Sequence, residues 1–337
     1  MLINNRRYIG SKTSLIPNID NVIKKYYQCY NFKFADIFGG TGVVAEYFYE
    51  KGCNVIVNDI LYSNYCAYIT WLSNEKFDIE KIKKIITDYN NIDSETLSDN
   101  YFSKIFGGKY YHEKDAKKIG YIREDIEKIK KTLTSREYYI LVTSLMYEAD
   151  KIANTCGHFE SFLNKEPVEH GISLRIPNIV NKKNKTQIYC TDANELVKNI
   201  SADVIYIDPP YNARQYVNFY HVLENLTRWE KPTEFEGNSM KFKRNHLKSD
   251  YSKAKAPVVF KQLIEDIHAK LIIVSYNNTY NARSGASNNK ISEEQLKKIL
   301  ETKGNVIRHD IAYKAFNTGK TNFNNHKEYL YVCEVNE

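Results

Sequence analysis

Three times in this chain a short apolar run stops at a turn built from glycine, proline or aspartate and passes straight into a helical stretch. Phe34 to Phe38 enters Gly39-Gly40-Thr41-Gly42, after which Val43 to Tyr49 has helical character. Asn54 to Asn58 ends at Asp59 and leads into a helix through Trp71. Asp203 to Ile207 ends in Asp208-Pro209-Pro210-Tyr211, with a helix expected near Val217 to Trp229. Strands that hand the chain to helices in this way belong to a sheet covered by helices. Further apolar runs at Gln187 to Cys190, Lys270 to Ser275, Asn305 to Tyr313 and Lys327 to Val335 bring the expected strands to seven. The last two have no helix between them, so they should form an antiparallel hairpin at one edge. The pattern predicts an α/β fold with an open, seven-stranded, mostly parallel sheet.

The middle of the chain breaks this rhythm. From Ser73 to Lys185 the periodicity is helical (Ile79 to Tyr89, Glu113 to Leu133, Ser135 to Lys151) and no convincing strand appears. The expected organisation is therefore one sheet domain made of residues 1–72 and 186–337, interrupted by a helical subdomain of residues 73–185. A length of 337 residues suits two such units. A basic segment, Lys241 to Lys255, and a polar one, Asn277 to Lys290, read as surface loops.

Composition excludes several classes. With 42% hydrophobic and 26% charged residues the chain is neither disordered nor collagenous. No apolar run approaches the roughly 20 residues of a membrane span, and no signal peptide is visible behind Arg6 and Arg7. The six cysteines stand singly, which argues against a zinc site and for reduced thiols in a cytoplasm. The net charge is +7, but 38 lysines against 10 arginines fit an AT-rich genome equally well. The charge permits a nucleic-acid partner without pointing to one.

The turns carry the chemistry. Glycines after a first strand let a ligand approach the backbone, and the following helix offers unpaired N–H groups. The spacing at Gly39 to Gly42 is neither the dinucleotide G-x-G-x-x-G nor a Walker loop, and a plain tight turn would also explain it. Asp59 can accept both hydroxyls of a ribose, or it can serve a helix N-terminus. Asp208-Pro209-Pro210-Tyr211 is the sharpest signal. Two prolines fix the backbone and donate nothing, so they present carbonyl oxygens beside one carboxylate and one aromatic face. That set suits an exocyclic amine on a base; a strand ended by proline with an incidental tyrosine is the plainer alternative.

Arg7-Tyr8-Ile9-Gly10-Ser11-Lys12 with Leu15 and Pro17, the Asp36 to Gly42 turn, Asn58-Asp59 and Asp208 to Tyr211 occur in this order. Together they resemble the Dam-like, or D12, DNA adenine N6-methyltransferases that use S-adenosylmethionine. The run Tyr206 to Glu224, with Asn212-Ala213-Arg214-Gln215-Tyr216 and Tyr220-His221, is similar to modification enzymes of type IIS restriction systems such as the FokI methyltransferase. The resemblance implies the sheet type of S-adenosylmethionine-dependent methyltransferases. It implies that Tyr8, Gly10 and Lys12 close the cofactor site. Asp36, Phe38, Gly39, Gly40, Thr41 and Gly42 would face the methionine part, Asp59 the ribose and Asp192 the adenine, though a helix cap explains Asp192 as well. Lys12 also reads as a solvated residue near a helix start capped by Ser11.

Hydrogen bonds from adenine N6 to Asp208 and to the Pro209 carbonyl would localise its lone pair for in-line methyl transfer, with no metal. The base would be flipped from duplex DNA and stacked on Tyr211. Lys241, Lys243, Arg244 and Lys248 would clamp phosphates, or form a solvated basic loop. The implied partners are double-stranded DNA and a cognate restriction endonuclease. Rivals on the same sheet are an RNA base methyltransferase, a glutamine methyltransferase, against which Asp208 in place of asparagine argues, and a non-catalytic cofactor-binding DNA sensor.

Overall fold

Alternate residues of the central strands are apolar on both sides, so the sheet must be covered on both faces. A computed structural model describes residues 1–279, 288–312 and 327–336. Its main sheet contains β1 (Lys33–Asp36), β2 (Asn54–Asn58), β3 (Thr186–Tyr189), β4 (Ala202–Ile207), β7 (Ala269–Asn277), β8 (Gly304–Ala312) and β9 (Lys327–Val335). β5 (Phe235–Glu236) and β6 (Lys241–Phe242) form a separate two-stranded ribbon. The main order is β3-β2-β1-β4-β7-β9-β8, parallel except for β9, which runs antiparallel to both of its neighbours. The edge hairpin is thus present as expected. Tyr313 and residues 280–287 of the polar segment lie outside the described residues.

Each face has its own core. Phe34, Val55, Val57, Val204, Tyr206, Ile273 and Val332 point to one side, and Ala35, Ile56, Ile205, Ile207, Ile272 and Val274 to the other. The first face is covered by α1 (Ile16–Ile23), α2 (Val43–Lys51), α3 (Tyr62–Leu72), α7 (Ser135–Ile152) and α9 (Tyr216–Arg228). The second is covered by α8 (Ala193–Val197), α10 (Ala256–Asp266) and α11 (Glu293–Glu301).

The interrupting block is helical, with α4 (Ile79–Asn90), α5 (Tyr101–Phe106), α6 (Glu113–Ile129) and α7. α6 stops short of Leu133 and ends in a tight 3-10 turn, Lys130–Thr132. Thr134 and Glu137 form a reciprocal capping box that starts α7. The block does not close a core of its own. Ile82, Ile119, Leu141, Leu145 and Leu174 join one continuous cluster with the strand residues of the first face. α7 packs on both α3 and α9, which fixes the block against the sheet.

Candidate active site

Strand register brings the punctuating turns together. Asp36 is level with Val57 on β2 and Tyr206 on β4, while Asn58 is level with Tyr189 on β3. The glycine turn, Asp59, Asp192 and Asp208 therefore emerge side by side at the carboxyl ends of the parallel strands. They open on a single partly enclosed cleft. Its lining includes Tyr8, Gly10, Lys12, Asp36, Phe38, Gly39, Gly40, Thr41, Asp59, Asp192, Asp208 and Pro210. Gly42, Pro209 and Tyr211 adjoin these residues in the chain without lining the cleft themselves.

The glycine turn is packed to the limit. A Cβ on Gly39 would lie 2.7 Å from Tyr68 Oη and 2.9 Å from Val57 Cγ2, so no larger residue fits without a shift. The Tyr68 hydroxyl donates to the Gly40 carbonyl at 2.7 Å. Asp59 accepts from the Gly40 amide at 2.9 Å and the Leu61 amide at 2.8 Å. It therefore ties the glycine turn to the start of α3 and still faces the cleft. Burial pushes its carboxyl up to about 6, against the pull of those two amides. Asp192 caps α8 through the Asn194 amide at 2.8 Å and also lines the cleft, so both of its expected roles fit one position.

Asp36 is buried at 1% exposure, and its Oδ1 has no hydrogen-bond partner among the described residues. Burial first, then the neighbouring Asp208 and Asp59 carboxylates, hold its carboxyl well above the usual range. An unpaired buried acceptor in a cleft calls for a donor from a ligand. A positively charged amino-acid head suits Asp36, and a ribose suits Asp59. The residues present thus fit S-adenosylmethionine.

The N-terminal segment forms one wall. The Tyr8 ring stacks on Tyr220 with centroids 4.7 Å apart and planes within 3°, under the Arg6 guanidinium. The Ile9 amide donates to Tyr220 Oη at 2.7 Å, and Arg7 is tied to Asp150 of α7. Gly10 turns the chain with φ +81°, in a region that favours glycine. Lys12 follows, and the structure overturns its reading as a solvated residue. It is 6% exposed, with Nζ 3.1 Å from Asp208 Oδ1 and 3.8 Å from Glu328 Oε1. Ser11 does not cap a helix; its hydroxyl pairs with that of Thr13.

Asp208 ends β4 at the mouth of this cluster. Burial raises its carboxyl to about 6; Lys12 opposes the shift and Glu328 adds to it. The Tyr211 ring meets Tyr276 edge-on at 5.8 Å and lies 5.7 Å from Lys12 Nζ. Glu224, the last residue of the run noted in the sequence, is fully buried. Its carboxylate accepts from the Tyr62 and Ser63 amides at 3.1 and 2.7 Å, capping α3, which has no side-chain cap at its own N-cap residue.

The basic segment departs from expectation. Lys241 to Lys255 is not a free loop, because Leu247, Ser249 and Tyr251 fold over the cleft. Arg244 is buried at 7% exposure and bonds Asn218 Oδ1 at 2.7 Å, the Phe242 carbonyl at 2.9 Å and Glu236 at 3.0 Å. Its guanidinium is committed to the fold. Lys243 is exposed, while Lys241 and Lys248 are half-buried. Glu328 and Tyr216 were missed by motif reasoning. Nothing around Glu328 in the sequence marks it, whereas Tyr216 closes the Asn212 to Tyr216 run.

This strand order, with its site at the carboxyl ends of the strands, is the S-adenosylmethionine-dependent methyltransferase fold. The model of the D12 class N6 adenine-specific DNA methyltransferases matches residues 8–281, and the chain belongs to that family. It is 37% identical to modification methylase StsI of Streptococcus sanguinis, over 88% of this chain and 46% of that protein. It is 31% identical to type II methyltransferase M.NlaIII of Neisseria lactamica, over 97% and 98% respectively. Type II methyltransferase M.FokI of Planomicrobium okeanokoites is 29% identical, over 88% and 47%. The chain therefore spans about half the length of the StsI and FokI enzymes and nearly all of the NlaIII enzyme.

Proposed function

We propose that this protein is a type II modification methyltransferase that transfers a methyl group from S-adenosylmethionine to N6 of an adenine in double-stranded DNA. The observation that carries the reading is the position of Asp208-Pro209-Pro210-Tyr211 beside the cleft lined by Asp36, whose Oδ1 has no partner among the described residues. Asp36, the glycine turn, Asp59 and Asp192 would hold the cofactor along the strand ends, closed by Tyr8, Gly10 and Lys12. Bound there, it supplies an electrophilic methyl group on its sulfonium.

The chain's own residues then act on the amine. The N6 lone pair is delocalised into the adenine ring, which makes it a poor nucleophile. Asp208 and the Pro209 carbonyl accept hydrogen bonds from its two N–H groups, localise the lone pair and fix its direction, so orientation supplies much of the acceleration. The N6 proton lost on methylation passes to solvent, directly or through Asp208. Because N6 is buried in duplex DNA, the base is extruded and its face is taken by Tyr211. Exposed Lys243 would meet backbone phosphate, together with half-buried Lys241 and Lys248. The block of residues 73–185 is assigned the target sequence, since the strand ends are occupied by cofactor and chemistry. A cognate endonuclease and a cytoplasmic location follow from a role in restriction–modification.

The test is transfer of tritiated methyl groups to DNA, RNA and protein in parallel. Label in DNA alone, released as N6-methyladenine and lost in Asp208→Ala, is expected. Label in RNA or protein with none in DNA rejects the reading.

A further inference from the structure

β9 runs antiparallel to β7, so its first residues enter the sheet at the edge where the parallel strands end. Glu328 is level with Asn277 there, and it is the one acidic side chain that the described part of β9 brings to the catalytic turn. It is 3% exposed, and its Oε2 has no partner among the described residues. A half-satisfied buried carboxylate is a poor stabiliser, so its position calls for another reason.

We propose that Glu328 is a positioning residue that shares the Lys12 ammonium with Asp208 and so leaves the Asp208 carboxylate free to accept from the target amine. The inference rests on the reading of the site as a methyltransferase. Lys12 Nζ lies between the two carboxylates, 3.1 Å from one and 3.8 Å from the other. Among the described residues, the groups facing this cluster are Asp36 from β1, Tyr206 from β4, Tyr211 from the following turn and Tyr216 from α9, and Lys12 is the one cation. With Glu328 absent, the ammonium would belong to Asp208 alone and compete with N6 for its oxygens. The anion of Glu328 also raises the proton affinity of Asp208, which Lys12 lowers.

The experiment follows single-turnover methyl transfer against pH for the wild type, Glu328→Gln and Glu328→Asp, well below the lowest melting temperature of the three. The rate should fall on the acid side as Asp208 takes up a proton. Glu328→Gln should move that limb down by about one pH unit, an about tenfold larger fraction of its plateau rate at acid pH, with a lower plateau. Glu328→Asp keeps the charge, so its limb should stay with the wild type and its plateau should recover toward it. A purely structural glutamate would lower the melting temperature and leave the limb in place. Superposed limbs for the wild type and Glu328→Gln, or equal displacement in both variants, overturn the inference. A wild type that methylates no adenine at any pH overturns the methyltransferase reading instead.

Discussion

Lys12→Met removes the ammonium that stands between two buried carboxylates, and its cost should depend on pH in a defined sense. Removing one partner of a buried ion pair costs about 3–5 kcal/mol, because a desolvated charge is left alone. At about 2.1 cal/mol/K per residue, the 337-residue chain unfolds with about 0.7 kcal/mol/K of entropy, so the melting temperature at pH 8 should fall by about 4–7 °C. In the wild type Lys12 opposes the burial that raises Asp208 to about 6. Without it the folded-state value rises further above that of the unfolded chain. Stability linked to Asp208 is then present at low pH and lost as pH rises through the raised value. At pH 5 Asp208 is largely protonated, so less charge is stranded and the variant should sit closer to the wild type. Thermal melts of both proteins at pH 5 and pH 8 measure this, and the wild type subtracts the titrations of groups that Lys12 does not touch. Adding Asp208→Asn to Lys12→Met should recover part of the loss at pH 8. Equal deficits at the two pH values, or no recovery in the double variant, refute the reasoning.

Asp59→Ala should weaken S-adenosylmethionine binding by about 1.5–3 kcal/mol, through the loss of a charged acceptor for the ribose. In the wild type, affinity should decline as pH falls through about 6, where the Asp59 carboxylate takes up a proton; unchanged calorimetric affinity in the variant would sink the role. Tyr211→Phe should keep most activity, while Tyr211→Ala should lose about 1–3 kcal/mol of stacking, partly relieved when the target adenine is mispaired. Equal losses on matched and mismatched duplexes with a lowered melting temperature would reject the stack. Arg244→Ala should lower the melting temperature and leave the salt dependence of DNA binding unchanged, because its guanidinium is bonded to Asn218, Phe242 and Glu236. Lys243→Ala should do the reverse, reducing the salt slope by about one, and an unchanged slope in Lys243→Ala removes that residue from the DNA contact.

The sequence by itself determined the seven strands, the turns that end β1, β2 and β4, and the edge hairpin. These depend on local properties: a period of two in apolar residues, and glycine or proline where only those backbones fit. It also carried the cleft residues from Asp36 to Asp208, because each lies in a turn at a strand end, while Tyr8, Gly10 and Lys12, ahead of the first strand, were marked only by the resemblance of their run. Tertiary structure alone decided how those residues are charged and paired. Lys12 follows Ser11 in a polar stretch that reads as solvated. It is buried because the N-terminal segment is clamped against Tyr220 and Asp150, more than a hundred residues away. Arg244 sits in a run of lysines and looks like its neighbours. It differs because Asn218 and Glu236 converge on it from α9 and β5. Glu328 had no local mark at all. It reaches the site because β9 enters the sheet in the opposite direction to β7, and strand direction together with register is a property of the whole sheet. Burial, unlike turn chemistry, is set by what arrives from elsewhere in the chain, and burial is what moves the carboxyls of Asp36, Asp59 and Asp208.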